Sequence, residues 1–500
     1  MDHTAEIVTK GVLCTLAVVV ILWRHREACT LPREKAGQLL GIAAAVAAAA
    51  WFNFGFFHGA GFVHYWEQFH YFLGSKYFPE VGYDGLYAAS MAAQQESSSQ
   101  LPIQPFIRDL RTNKVVPPHS VPEHKAEVRA RFSADRWRAF VEDNQHFLDS
   151  NDLDYLRQIR TDHGYNPTPT WTFVARLADR FLPASRANLE LLGAIDPILL
   201  LVTFVVVFRT YGNRVGCIAL IILGLGYPWR FDWVGGAFLR QDWLAAVVIG
   251  ICMLKRERFA LAGALFAYAA MVRIFPALFL FGLAVVAARG IIRRESLRWA
   301  ARFAGGFALS AGLCFGAGCL AGRGAAAWPE FARNLEKHQG TWLTNNVGAK
   351  NLVLYGREEV NRSMVDFSIP EPWSLWQVHL DRLQRERAAA IAAVALAILA
   401  LVAVAAWRST PDEAAALGPA AVFAAVLLTC YYWVMLVAVP FRKGIPATVG
   451  VLSMSVVLFA LDLVTPSFEM IFGAMSWALV VVFVAWTAPE AVAAWRAARG

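Results

Sequence analysis

Apolar runs separated by short charged loops recur along most of the chain, and two long polar segments interrupt them. Runs of the length that spans a bilayer as helix, about 17–25 residues, fall near Ile7–Trp23, Ala36–Phe57, Leu191–Phe208, Val215–Trp229, Trp243–Leu254, Phe259–Val272, Ile274–Ala288, Trp299–Ala321, Ala388–Trp407, Leu417–Val439, Ile445–Leu463 and Phe468–Trp486. Several are short. The pattern predicts an all-α polytopic membrane protein of about 12 transmembrane helices (11–13). Its parts are N-terminal helices (1–57), a first loop domain (58–190), a transmembrane core (191–321), a second loop (322–387) and C-terminal helices (388–500). The first loop is too long to be a plain connection, so structure of its own is expected there. Tyr65–Phe78 reads as a helix along the membrane surface, and the prolines from Pro102 to Pro122 as an extended stretch. Glu123–Leu148 carries Val128, Phe132, Phe140 and Phe147 at roughly helical spacing, and a further helix is expected over Thr168–Phe181, between Pro167 and Pro183.

Orientation follows from the cations. One set of short loops holds Arg24, Arg26, Arg33 and Lys35, then Arg209 and Arg214, then Lys255, Arg256 and Arg258, then Arg289, Arg293, Arg294 and Arg298. The opposite short loops hold only Arg230, Arg240 and Arg273. The positive-inside rule makes the first set cytoplasmic. Phe259–Ala288 must then cross twice, turning at Arg273-Ile274-Phe275-Pro276, and both long loops face the extracytoplasmic side. The tail does not close on this scheme: Arg442-Lys443 and Arg496/Arg499 cannot all be cytoplasmic if each C-terminal run is one span. No internal repeat of fixed period supports an inverted-repeat transporter.

Composition agrees with the bilayer reading. The chain has 500 residues, 57% hydrophobic and 17% charged, with a mean hydropathy of +0.43. Soluble domains carry nearer a quarter charged residues. The formal charge of +8 sits in topology-setting loops, so no nucleic-acid partner is expected. Of the seven cysteines, Cys14, Cys217, Cys252, Cys314, Cys319 and Cys430 lie in apolar runs and Cys29 just after one, which predicts buried, inert thiols. The run Gly11–Leu22, followed by Trp23-Arg24-His25-Arg26 without a small-residue cleavage site, is expected to be a retained helix.

Three constellations carry candidate chemistry. In the first, His64, Glu67, His70/Tyr71 and Gly74 share one helical face, with Lys76, Asp84 and Tyr87 following. A carboxylate at the bilayer edge beside aromatic rings is desolvated and becomes a better proton acceptor; an interfacial aromatic belt is the plainer alternative. The second is Tyr227-Pro-Trp-Arg230-Phe-Asp232-Trp-Val-Gly235-Gly236-Ala-Phe-Leu-Arg240-Gln241-Asp242-Trp243. Its arginine forks suit a phosphate and its glycines the approach of a headgroup; Arg–Asp pairing within the loop is the alternative. Arg273 interrupts an apolar stretch, which marks a functional candidate. The third, from Asn334 to Asn351, offers Lys337, His338, Asn345, Asn346 and Lys350 to sugar hydroxyls and phosphate oxygens, or is a solvated loop. Asp152, Asp154 and Asp162-His163 read as a solvated acidic turn before a metal cluster. Gly312-x3-Gly316 and Gly318-x3-Gly322 are helix-packing signals.

The order Glu67-x3-Tyr71-x2-Gly74 and Gly82-x3-Leu86-Tyr87, with Ala270-Met-Val-Arg273-Ile-Phe275-Pro276 as a basic-residue-then-proline helix break, resembles the lipid-linked glycosyltransferases of the GT-C superfamily. It is closest to glycosyltransferase family 87, the polyprenol-phosphate mannosyltransferase-like proteins. The likeness runs from Trp51 to Arg289 and more faintly to the loop near Asn345. Two departures stand out: the family's acid is Asp where this chain has Glu67, and an extra helix precedes the module. Asp84 therefore stays a rival catalytic residue. The resemblance implies a GT-C-like fold in the inner cell membrane, with the active site on the periplasmic side. It implies transfer of a sugar from a polyprenyl-phosphate donor to a lipid, glycan or protein acceptor of the cell envelope, by inverting displacement with a carboxylate base. Arg230, Arg240, Arg273, Lys337, His338 or Lys350 would hold the donor phosphate; His64, His70, Tyr71, Lys76, Tyr87, Asn345 and Asn346 would contact acceptor or sugar. No cofactor is required, and use of a divalent metal stays open. The alternatives are a transporter or flippase of a lipid-linked anion, using Arg273 and the Arg230/Arg240 loop as a gate, and another membrane transferase such as a polymer ligase or acyltransferase.

Overall fold

The structure, a computed structural model, describes residues 2–25, 32–59, 61–338, 340–354, 364–366, 368–442, 444–465 and 467–497. Arg26, Cys29, Lys443 and Arg499 lie outside the described residues, and nothing is described of the Arg24, Arg33 and Arg496 side chains. The fold is mostly helical. Among the described residues seven helices are long and apolar enough to cross a membrane: His3–Trp23, Arg186–Leu225, Phe275–Ile292, Arg298–Cys319, Ala388–Trp407, Ile445–Val464 and Phe468–Pro489. The shorter apolar helices Phe259–Val272 and Cys430–Phe441 and the helices Arg33–Trp51 and Asp242–Lys255 complete the bundle. Most boundaries agree with the hydrophobic pattern to within a few residues, because a stripe of Ala, Val, Leu and Phe satisfies its own backbone only as helix. The helix Ile195–Leu225 is interrupted at Gly212 (φ 80°, ψ 173°), in the Arg209–Arg214 turn expected from sequence. The Gly312/Gly316 packing signal fails: a Cβ at either position would meet nothing within 4 Å, and Leu309, Leu313 and Phe315 beside them are exposed.

The predicted span Leu417–Val439 is not one helix. Helices Pro411–Ala416 and Gly418–Ala425 end at an extended Val426 (φ −134°, ψ 155°). Leu428–Thr429 then pairs antiparallel with Asn346–Val347 of the second loop, and a tight 3₁₀-type helix, Cys430–Phe441, runs back. Both ends of this segment meet at one end of the bundle. There Phe441 stacks on Tyr211 at 4.7 Å, the Tyr211 hydroxyl donates to Asp412 at 3.2 Å, and Lys255 pairs with Asp412 at 3.3 Å. The segment is thus a hairpin, and the bridge to Asn346–Val347 at its tip needs extended backbone that a continuous helix could not offer.

The described residues from 61 to 190 are mostly helical, with a hairpin, Ile107–Asp109 with Lys114–Val116, in the proline-rich stretch. Val128, Phe132, Phe140 and Phe147 are all buried, on helices Pro122–Ala130 and Ala134–Asp149 or in the turn between them. Pro169–Asp179 is the further helix, capped by the Thr168 hydroxyl, which accepts from the Trp171 N–H at 3.2 Å. The region Tyr65–Lys76 is helical, as expected, and one face packs into the protein: Phe69, Phe72, Leu73, Tyr77 and Phe78 are buried. It widens to a π-type turn over Phe69–Leu73, a feature frequent at functional sites.

Candidate active site

Glu67 sits in the first turn of the helix that opens the loop domain. His64 caps that turn: its Nδ1 accepts from the Glu67 N–H at 3.3 Å, and its Nε2–H donates to the Asp232 carbonyl at 3.0 Å. Burial pushes this imidazole down to about 3, so it is neutral and fixes geometry. His70 is equally occupied, with Nδ1 on the Trp66 carbonyl at 2.8 Å and Nε2 on the Tyr87 hydroxyl at 2.7 Å. The expected imidazole pair for sugar contact is thus committed to the protein. Tyr87 is fully buried behind His70 and accepts from the Gly164 N–H at 3.0 Å, so it is a supporting residue. Lys76 departs further from expectation: it is buried, pairs with Asp143 at 2.6 Å and donates to the Leu182 carbonyl at 2.6 Å. The lysine is sequestered because its carboxylate partner lies in the core of the loop domain. Gly74 lets the Tyr165 ring approach, since a Cβ there would stand 2.2 Å from the ring.

Arg240 meets this helix from the loop after Leu225. Its Nε lies 2.9 Å from a Glu67 carboxylate oxygen, its Nη1 bonds the Tyr71 hydroxyl, and its Cζ lies over the Tyr71 and Tyr431 rings at 4.4 and 5.3 Å. Asp196 fixes the arginine's backbone by accepting from the Arg240 and Gln241 amides at 2.7 and 3.0 Å. The Gly235-Gly236 pair does not admit a headgroup. A Cβ on Gly236 (φ +68°) would stand 1.7 Å from the Phe62 carbonyl, so the pair docks the loop against the chain entering the Glu67 helix. Burial pushes the Glu67 carboxyl up, and Arg240 and His70 pull it back only part of the way.

Arg273 stands where the helix Phe259–Val272 ends in extended backbone. It is buried, its Cζ is 5.6 Å from the Trp171 ring, and its Nη1 reaches only the Val272 carbonyl at 3.4 Å. Its Nε and Nη2 have no hydrogen-bond partner. Arg240, Tyr71, Tyr432 and Asp242 are within its electrostatic reach. Two guanidiniums in one aromatic enclosure, with spare donors, are a candidate anion site.

The other candidates separate. Arg230 pairs with Asp462 at 3.5 Å, each side chain 6% exposed, and its Cζ lies over the Tyr227 ring at 4.5 Å. Asp84 is half-exposed beside Arg131 at 3.6 Å and does not line the cavity at Glu67. Lys337 bonds the Leu110 carbonyl, and the His338 ring lies 5.7 Å from that of His163. Lys350 bonds Gln384 at 3.3 Å. The Asn346 backbone pairs with Thr429 and its side chain does not line the cavity, whereas Asn345 does.

That cavity, about 660 Å³, opens between the two loops and the rim of the bundle. Glu67, Asp162, Asp232, His64 and Trp66 line one side, Trp342, Asn345 and Trp373 another, and Trp233, Tyr431 and Phe468 the rim. Asp162, read from sequence as a solvated turn, accepts from the Trp66 indole N–H at 2.9 Å. Burial would raise its pKa, but His70, His163 and these hydrogen bonds outweigh it and hold the carboxyl low. Sequence reasoning missed Tyr431, Tyr432 and Trp171 because they lie within segments read as membrane span or loop helix. Among the described residues no group of three or more His, Cys, Asp or Glu is arranged to hold a metal ion.

Comparison with curated proteins and with solved structures gives no match. A family model does match, over residues 241–440. This stretch overlaps the motif resemblance up to Arg289 and again at the loop near Asn345; it contains Arg273, Asn345, Tyr431 and Tyr432, begins just after Arg240 and leaves Glu67 outside. The matching model is that of glycosyltransferase family 87, and together with the apolar spans this match indicates a membrane glycosyltransferase.

Proposed function

We propose that the enzyme moves a sugar from a polyprenyl-phosphate donor to an acceptor hydroxyl at the extracytoplasmic face. The observation that carries this reading is the buried Glu67–Arg240 pair, with Arg273 beside it, at the wall of a cavity between the two loops. The acceptor oxygen attacks the anomeric carbon from the side opposite the phosphate, Glu67 takes the hydroxyl proton, and the carbon–oxygen bond to the phosphate breaks with its electron pair. The leaving phosphate needs charge stabilisation rather than a proton, which Arg240 and Arg273 supply. The base is Glu67 rather than Asp84, because Asp84 stands apart from the arginines, paired with Arg131.

This reading makes the cation-rich end cytoplasmic. The hairpin at 411–441 adds one crossing to the tail, so on this reading the described helices cross thirteen times and Arg442 reaches the cytoplasmic end, where it donates to the Trp486 carbonyl at 2.7 Å. A cysteine introduced at Ser98 should react with an impermeant maleimide on intact cells, and one at Arg256 or Arg294 should not; the opposite sidedness would refute the extracytoplasmic site. Arg357, another position suited to such labelling, lies outside the described residues.

The chemistry is tested with purified protein and radiolabelled polyprenyl-phosphate sugars. A transferase consumes donor and releases polyprenyl phosphate, whereas a flippase leaves donor intact, and an acyltransferase or polymer ligase needs a different donor. Donor turnover measured with and without EDTA tests whether a divalent metal takes part.

A further inference from the structure

The cavity at Glu67 differs in charge from the arginine enclosure behind it. Among the described residues four carboxylates line it, from Glu67, Asp162, Asp232 and Glu371, against one lining guanidinium, Arg108, and only Glu67 is also met by Arg240 from behind the wall. Arg108 is already paired with Glu371 at 2.9 Å. The two lining histidines add no positive charge at neutral pH, since burial pushes His64 down to about 3 and His163 to about 4. An anion entering here would face like charges in a partly desolvated space.

The apolar part of the wall is aromatic and comes from both loops. Trp342 is held by Asp381, to which its indole N–H donates at 2.7 Å, and Trp373 lies edge-on to Trp376 at 5.5 Å. The buried indole N–H groups of Trp233 and Trp376 make no hydrogen bond within the protein. A second cavity, about 580 Å³, shares His64, Trp66, Gln158 and Asp232 with the first and continues the groove along the loop domain. Each volume lies in the range of ligand sites, roughly 300–1,000 Å³. Carboxylates and amides that accept and donate hydrogen bonds, between flat indole faces, match the alternating hydroxyl edges and apolar C–H faces of a pyranose.

We infer that this groove binds the acceptor as the end of an uncharged oligosaccharide, seated on the tryptophans of the second loop and selected against anionic acceptors by the ring of carboxylates. The inference rests on the transferase reading for its role, but binding can be read without turnover. The experiment uses the full chain in lipid nanodiscs, free of sugar-based detergent, and follows tryptophan fluorescence and calorimetry with maltotriose, mannotriose, cellotriose and trigalacturonate. At least one neutral trisaccharide should bind about tenfold or more tightly than trigalacturonate. Trp373→Ala should weaken that binding by about tenfold, as truncating an interfacial aromatic anchor does. Glu371→Gln, which frees Arg108, should narrow the discrimination against trigalacturonate. Equal or tighter binding of trigalacturonate, no binding of any neutral trisaccharide, or an unchanged affinity in a folded Trp373→Ala protein would each overturn the inference. Loss of donor turnover with neutral-sugar binding intact would instead strike the transferase reading alone.

Discussion

Arg230 and Arg240 lie in one loop, ten residues apart, and look interchangeable in the sequence; the structure pairs each with a carboxylate but gives them different neighbours. Arg230 enters a region rich in compensating anions. It pairs with Asp462, and Glu6, Lys10, Asn53 and Asp232 form the adjoining network, with Lys10 Nζ 2.7 Å from Glu6 and the Asn53 amide 3.2 Å from Asp232. Arg240 joins a second guanidinium, Arg273, that has no carboxylate within ion-pair distance among the described residues and keeps two nitrogens without partners. A buried cation whose charge is answered inside the protein holds the fold together. One whose donors remain free is poised for a ligand's charge, because leaving it unanswered costs too much otherwise.

The sharpest break in this comparison is at the carboxylate between the two regions. Glu67→Gln keeps the shape and removes the base, so donor turnover should fall by about 10²–10⁴-fold in a radiolabel assay. Asp84→Asn should cost far less, and a dead Asp84→Asn with a near-normal Glu67→Gln would move the base to Asp84. Next comes Arg273→Met, expected to lower turnover by about 10²-fold, the loss seen when one donor to developing charge is removed, with thermal stability in detergent little changed. Arg273→Lys should recover only part, since a point charge does not replace a planar fork. Normal turnover in both variants would make Arg273 structural.

Arg230→Met should do the reverse. It strands Asp462 and should destabilise by about 3–5 kcal/mol, seen as a lower unfolding temperature, while the folded fraction keeps most of its turnover. Arg230→Met combined with Asp462→Leu should regain much of that stability. Loss of activity without loss of stability would put Arg230 in the donor site. The smallest effect concerns pH. Glu67 works deprotonated and burial raises its pKa, so kcat/KM should decline as pH falls through a value above the ordinary carboxylate range. Arg240 opposes that rise, so Arg240→Gln should move the acid limb to higher pH. An acid limb unmoved, or moved to lower pH, would separate the titrating group from Arg240.

Much of the architecture was legible because it depends on local regularities. The apolar runs, the helix after Pro167, the turn at Arg209–Arg214 and the break at Arg273–Pro276 need only hydrophobic length, capping and proline chemistry. The helix that carries Glu67, Tyr71 and Gly74 was legible as well, from its amphipathic face. The hairpin inside Leu417–Val439 was not, because what ends its helix is a strand partner about eighty residues away, Asn346–Val347.

The sequence by itself determined that this chain enters a bilayer many times, where its cations fall, and which few polar residues sit against apolar surroundings. Tertiary structure alone decided which of those residues have partners. Lys76 found Asp143, Arg230 found Asp462, His64 and His70 filled both ring nitrogens, and Glu67 came to Arg240 beside an Arg273 with unspent donors. The physical reason is that hydrophobic burial is written into single positions and their period. Satisfying a buried charge is a property of pairs, and apart from the local His64–Glu67 and His70–Trp66 contacts the members of these pairs stand between 17 and more than 200 residues apart, brought together only by the packing of whole helices.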